Sequence, residues 1–262
     1  VTVGEMSSTS IENCVGYSNP ENRELDMVFS FHHLKVDYED GEKWSKVPFR
    51  FAELKGLLND WALGMQAGGG WNALFWNNHD QPRALNRFGD VQRYRAESAT
   101  MLATVIHLLR GTPYIYQGED PVYSSIDDYV DVEAHNAFKT LRARGLSGGE
   151  ALEVVRAKAR DNSRVPMQWE SGAGGERGAV GFGTAAPWLA PAPSVDAATG
   201  AGISVADEER DGVILPYYRE LIRLRGQYPV ISEGSYAPYA LDHERVFGYL
   251  REHITKGKRT RL

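Results

Sequence analysis

Residues Trp71 to Arg83 read WNALFWNNHDQPR, and the fold is decided there. Trp71, Ala73, Leu74, Phe75 and Trp76 make a short continuous apolar run of the kind expected of a strand covered on both faces. Asn77, Asn78, His79, Asp80, Gln81 and Arg83 then follow without a gap. Amide, imidazole, carboxylate and guanidinium groups therefore crowd into the turn after a buried strand, the edge where parallel barrels place their catalytic groups. Taken alone, the same run also reads as a polar turn holding a His-Asp ion pair.

Upstream of this stretch, Arg50 to Met65 carries Leu54, Leu57, Leu58, Trp61 and Met65 at helical spacing, and Gly68-Gly69-Gly70 breaks that helix. Before it, Leu25 to Phe31 reads as a strand that delivers His32, His33 and Lys35 at its end, followed by a charged excursion, Val36 to Phe49, with Lys43 and Trp44. Ser7 to Arg23 reads as a polar loop. Val1-Thr2-Val3-Gly4-Glu5 alternates β-branched residues and reaches a carboxylate at once, so the sequence is expected to begin inside a strand, with earlier residues missing.

Downstream, Tyr94 to Leu109 repeats a helical face through Met101, Leu102, Val105, Ile106 and Leu109, stopped by Gly111 and Pro113. Tyr114-Ile115-Tyr116 is the fourth predicted strand, with Gln117, Glu119 and Asp120 at its end. Strands alternating with helices imply parallel pairing through right-handed crossovers, which fits both a half-barrel and an open doubly wound sheet. Ile126 to Asn162 reads as acidic and then helical, broken at Gly148-Gly149. Gly172 to Gly202, rich in Gly, Ala and Pro, reads as a long surface loop, and Val213 to Leu224 resumes helical spacing. Gly234-Ser235-Tyr236 and Val246 to Tyr249 suggest the start of a small β domain, whereas the terminal HITKGKRTRL reads as a solvated end, from a truncation or a reading-frame slip.

With 262 residues, 42% of them hydrophobic, the chain has material for a sizeable core. A net charge of −6 without a long basic run argues against a nucleic-acid partner. Cys14 is the lone cysteine, which excludes an internal disulfide and favours a reducing, cytoplasmic compartment. No apolar run is long enough to predict a membrane span. His32-His33 lacks a carboxylate at helical ligand spacing, no strand is followed by G-x-G-x-x-G, and Gly68-Gly69-Gly70 precedes a strand, so neither a metal nor a cofactor is expected. Glu5 and Asp80 each follow a strand, and a parallel sheet places both on one edge. Such a pair suits glycoside hydrolysis, which needs a proton for the leaving oxygen and negative charge near a cationic transition state.

VTVGE (Val1–Glu5), FWNNHDQPR (Phe75–Arg83), GTPYIYQGE (Gly111–Glu119) and RDNSRVPMQW (Arg160–Trp169), in this order, resemble the α-amylase superfamily, in its oligo-1,6-glucosidase branch. The resemblance implies the carboxy-terminal half of a TIM (β/α)8 barrel, strands five to eight, over residues 1–228 with a loop-rich insertion at 120–212. Residues 229–262 would begin a carboxy-terminal all-β domain. It implies Glu5 as general acid/base, Asp80 as the carboxylate that distorts the sugar and stabilises the transition state, His79 and Arg83 as sugar contacts, and Arg164 on the acceptor side. FHHLKVDY (Phe31–Tyr38) and GEKW (Gly41–Trp44) are similar to the trehalose-6-phosphate hydrolases, which implies that Lys35, Lys43 and His32 contact a sugar phosphate. Compact cations suit a dianionic ligand, although lysines are mostly exposed in any protein.

The family's nucleophile, an aspartate ending the fourth barrel strand, has no match here, so the chain alone is expected to be inactive and its open sheet edge to favour self-association. Asp120-Pro121-Val122-Tyr123 and Val130 depart from the family pattern, the latter where an arginine is expected. An oligo-1,6-glucosidase or a non-catalytic sugar-binding remnant are the alternatives.

Overall fold

The computed structural model describes residues 1–118, 123–170, 180–196 and 199–262. Strand β1 (Val3–Met6) pairs in parallel with β2 (Met27–Ser30), and a bridge from Val28 to Asn72 leads on to β3 (Ala73–Leu74), itself parallel to β4 (Thr112–Pro113). The result is an arc of four parallel strands in chain order. The fourth predicted strand, Tyr114 to Tyr116, is shifted: the regular pairing ends at Pro113, and only the Tyr114 N–H continues it, to Leu74 O at 2.7 Å. Gly111 makes the close approach possible, since at φ +140 a Cβ there would lie 2.6 Å from Asn72 O.

The helices between strands cover one face of the arc. Helix α1 (Ile11–Ser18) occupies part of the stretch read as loop, capped by Ser10, whose Oγ accepts from Asn13 N at 3.2 Å. Its apolar face is thin, Cys14 and Val15 against Val28 and Met65, too few positions to register as a period. Helix α2 (Phe51–Ala67) buries Leu54, Ala62 and Met65 and ends at Gly68, where a Cβ would meet Val15 of α1 at 2.4 Å. Helix α4 (Arg95–His107) buries Leu102 and Ile106, and a short α3 (Ala84–Phe88) precedes it.

On the opposite face, Phe29 meets Phe75 at 4.9 Å and Tyr114 at 4.7 Å between ring centroids, filling the concave side. Alternation along the strands sends Val28 and Met6 to the helices and Phe29 to the interior.

Residues 123–165 build a second core. Helices α5 (Val132–Ala143) and α6 (Gly148–Lys158) pack Ala134 and Val155 against Tyr123, Tyr129, Val165 and Leu189. Gly148-Gly149, expected to break a helix, instead open α6. Ser147 and Glu150 form a capping box there, and the reversal is made by Gly145 at φ +98. Residues 172–179 and 197–198 of the predicted Gly172–Gly202 loop, together with Glu119 and Asp120, lie outside the described residues.

Helices α7 (Val205–Arg210), α8 (Ile214–Gln227) and α9 (Pro229–Ser232) lead to an antiparallel sheet of β5 (Ser235–Tyr239), β6 (Gly248–Thr255) and β7 (Lys258–Arg261). The terminal HITKGKRTRL is exposed from Ile254 onward, as expected of a solvated end, but it is folded into a hairpin. Lys256 and Gly257, both at positive φ, form its two-residue turn, and an exposed edge strand accepts a wholly polar sequence. Arg251 is fully buried and donates to Ser235 O at 3.2 Å and Leu108 O at 3.1 Å, fixing this sheet to the end of α4. Among the described residues no helix is long and apolar enough to cross a membrane.

Candidate active site

The turn after β3 is held by its own amides. Asn77 Oδ1 accepts from Ala84 N at 2.6 Å and Asn78 Oδ1 from Asp80 N at 3.0 Å, so the two asparagines fix the path on which His79 and Asp80 are displayed. Trp76 anchors the strand end through Nε1–H to Leu102 O, 2.8 Å.

Asp80 is the centre of a charge cluster. Arg164 Nη2 reaches its Oδ1 at 2.8 Å while Arg164 Nε donates to His79 O at 2.7 Å. Arg160 Nη1 lies 3.6 Å from the same Oδ1, and His79 Nε2 lies 3.3 Å from Oδ2. Arg160 is oriented by Asp131 through two bonds of 2.8 Å, and the hydrogen bonds from Arg160 hold the Asp131 carboxyl below the usual carboxylate range. Asp161, buried, accepts from the N–H groups of Val130 and Asp131 at 2.8 Å each. At Val130 the chain therefore contributes its backbone to this network, where the resemblance led to an expected arginine.

Glu5 is the next-to-last residue of β1, opposite Phe29 in the register, on the face that packs Phe75 and Tyr114, and it is exposed. Because all four strands run parallel, Glu5 and the His79-Asp80 turn stand at the same edge of the arc.

The predicted phosphate contacts are dispersed. Lys35 Nζ donates to Ser7 O at 2.8 Å and Ser8 Oγ at 3.3 Å, in the loop directly after the Glu5 strand. Lys43 pairs with Glu133 at 3.3 Å and covers the Trp44 ring at 4.8 Å. His32 stacks on Trp61 of α2 with centroids 4.4 Å apart, and burial, then the Lys35 charge, lower its pKa. Arg83, expected at the sugar, is 2% exposed and donates to Gly118 O at 3.3 Å and Ser163 O at 3.2 Å, tying the turn to its neighbours.

Residues 1–234 match the model of the α-amylase catalytic domain. This chain belongs to the α-amylase family. The family's catalytic domain is a TIM barrel, and the parallel arc is part of such a barrel. Among curated relatives, trehalose-6-phosphate hydrolase of Bacillus subtilis (strain 168) is 47% identical over 96% of this chain and 44% of its own length. Oligo-1,6-glucosidase of Halalkalibacterium halodurans is 40% identical over 97% of this chain and 44% of its own. The crystal structure of Bacillus licheniformis trehalose-6-phosphate hydrolase superposes with a TM-score of 0.86 at 46% identity, covering 95% of this chain and 44% of that one. The chain thus spans a little under half the length of these α-amylase family relatives.

The sequence reading singled out Asp80, His79 and Arg164, which the structure brings together, but passed over Arg160, Asp131 and Asp161. Arg160 and Asp161 stand in the quoted RDNSRVPMQW stretch, four residues and three residues before Arg164, and Asp131 stands next to Val130, in a stretch singled out only for its missing arginine.

Proposed function

We propose that these residues form part of the active centre of a retaining glycoside hydrolase that cleaves the α-glucosidic bond of trehalose 6-phosphate, giving glucose and glucose 6-phosphate. In this reading Glu5 protonates the departing glycosidic oxygen and later takes a proton from the attacking water. Asp80, paired with Arg164 and Arg160, stabilises the oxocarbenium-like transition state, and His79 contacts the sugar in the cleavage subsite. The observation that carries the reading is the Arg164–Asp80–His79 cluster on the same strand edge as Glu5.

Lys35, at the loop behind Glu5, is assigned to the phosphate, with Lys43 and His32 at its margin. His32, whose pKa is lowered by burial and then by the Lys35 charge, serves as a hydrogen-bond donor. Arg83 supports the sugar site by holding the turn. Retention requires a second carboxyl about 5 Å from the acid, acting as nucleophile. No aspartate here matches the family's nucleophile motif, so we expect the 262 residues by themselves to leave substrate intact. The lone cysteine accords with a cytoplasmic setting.

A second reading, an oligo-1,6-glucosidase, is favoured by one specific feature: Lys43 is already neutralised by Glu133. The two readings separate in the double variant Lys35→Ala with Lys43→Ala, made in the chain joined to an amino-terminal barrel half. Preference for trehalose 6-phosphate over trehalose should fall at least tenfold; an unchanged preference would refute the phosphate assignment.

A further inference from the structure

Three segments of the chain meet on one carboxylate, that of Asp37. It is 6% exposed. Arg87 binds it through both arms of its guanidinium, Nη2 to Oδ1 at 2.7 Å and Nε to Oδ2 at 3.1 Å. Lys158 Nζ reaches Oδ2 at 2.8 Å and the Asp37 backbone O at 2.8 Å. All three charged groups are shielded from water, at 9%, 4% and 3% side-chain exposure for Asp37, Arg87 and Lys158. Charges so placed persist only when each is paired and hydrogen-bonded.

Each partner of Asp37 is attached to a different part of the site. Arg87 also donates to Leu34 O and, at 3.3 Å, to Gln81 Oε1, so it spans the segment bearing Lys35 and the turn bearing Asp80. Lys158 ends α6, directly before the short 3-10 turn Arg160–Ser163, from which Arg160 and then Arg164 reach Asp80. Lys35, two residues before Asp37, holds the loop after Glu5 through Ser7 and Ser8. The separation between the acid loop, the transition-state carboxylate and its two arginines is therefore referred to one buried anion.

From this convergence we infer that Asp37 is a positioning residue, which sets the spacing between the Lys35 segment and the Asp80–Arg164 cluster and so governs discrimination for a phosphorylated acceptor sugar. The substrate part of this inference rests on the phosphotrehalase reading; the geometric part does not. A group that only supports the fold would lower activity on every substrate alike, whereas a spacer between two subsites acts on substrates that use both.

The test uses the chain joined to an amino-terminal barrel half, as Asp37→Asn and, should that variant not fold, Arg87→Lys, which keeps the charge but loses the fork. The loss of kcat/KM on trehalose 6-phosphate should exceed that on p-nitrophenyl α-glucoside at least tenfold, with the pH profile unchanged. Equal losses on the two substrates, or none, would overturn the inference. If the unsubstituted protein shows no preference for the phosphorylated sugar, the substrate reading fails, and hydrogen exchange then decides the geometric part. Exchange in residues 32–38, 79–83 and 158–164 should quicken together at least tenfold in the variant while the β5–β6 hairpin is unaffected; a change confined to 32–38 would refute it.

Discussion

Substitution of Arg164 or of Glu5 should cost activity and spare stability, for different reasons. Arg164 acts on Asp80 through a 2.8 Å ion pair at a partly buried site, so Arg164→Ala in a completed barrel should lower kcat about 10–100-fold through mispositioning of the carboxylate, with little change in thermal stability. Glu5 is exposed at a strand end with no structural partner to lose among the described residues. Glu5→Gln should therefore leave stability intact and lower hydrolysis of the disaccharide roughly 10²–10⁴-fold, with a much smaller loss on an aryl glucoside whose leaving group needs no proton. Equal losses on the two substrates would remove Glu5 from the acid role. His33 reports on pH. Its Nε2 meets Phe75 O at 2.8 Å, and burial lowers its pKa to about 4. A base whose folded pKa is depressed is less protonated than in the unfolded chain, so stability should fall as pH drops from about 6.5 towards 4. Because the ring keeps some solvent contact, the loss should be roughly 1–3 kcal/mol, read from urea midpoints. Asp37 and Asp131 behave differently. Burial raises the Asp37 pKa, but Arg87 and Lys158 outweigh it, and Arg160 lowers that of Asp131. Their contributions should be complete above the ordinary carboxylate range and disappear only as pH falls below it. His33→Phe should flatten the loss between 6.5 and 4; an unaltered slope would reject this account.

The elements show which features a sequence displays and which it conceals. The apolar run at Trp71 to Trp76 and the periodic faces of α2 and α4 were legible because burial selects one residue type at a fixed spacing. Helix α1 was not, since its packing against α2 relies on small groups: Gly64 and Gly68 admit Ile11 and Val15 where a Cβ would stand 2.5 and 2.4 Å away. The β6–β7 hairpin was concealed for another reason, as Arg251 occupies the inward position that an apolar residue would normally mark. Within the site, His79, Asp80 and Arg164 lie in dense local motifs, whereas the Asp37, Arg87 and Lys158 meeting joins positions 50 and 121 residues apart, for which sequence offers no period. Gly111→Ala tests the strand pairing itself. With φ +140 and a contact of 2.6 Å to Asn72 O, the substitution should cost about 2–4 kcal/mol, seen as a lower urea midpoint with unchanged m-value. A loss under about 0.5 kcal/mol would show that β3 and β4 are not held in this register.

Across the whole molecule, β1 and β4 each have a single strand neighbour among the described residues, and Val3 on β1 and Ile115 just past β4 are exposed. The 262 residues studied alone should therefore self-associate with rising concentration, visible as growing mass in sedimentation, and joining an amino-terminal barrel half should abolish it. Membership of the α-amylase family accounts for the parallel arc and for the site at its edge, and relatives of two specificities, trehalose-6-phosphate hydrolases and oligo-1,6-glucosidases, share that frame. In our proposal, substrate choice falls to the Lys35 segment. The most direct test is a side-by-side hydrolysis assay of trehalose 6-phosphate, trehalose and isomaltose by the chain alone and by the chain joined to an amino-terminal barrel half. We predict no turnover by the chain alone and a strong preference of the joined protein for trehalose 6-phosphate; preferential cleavage of isomaltose, or hydrolysis by the rigorously purified chain alone, would contradict the account.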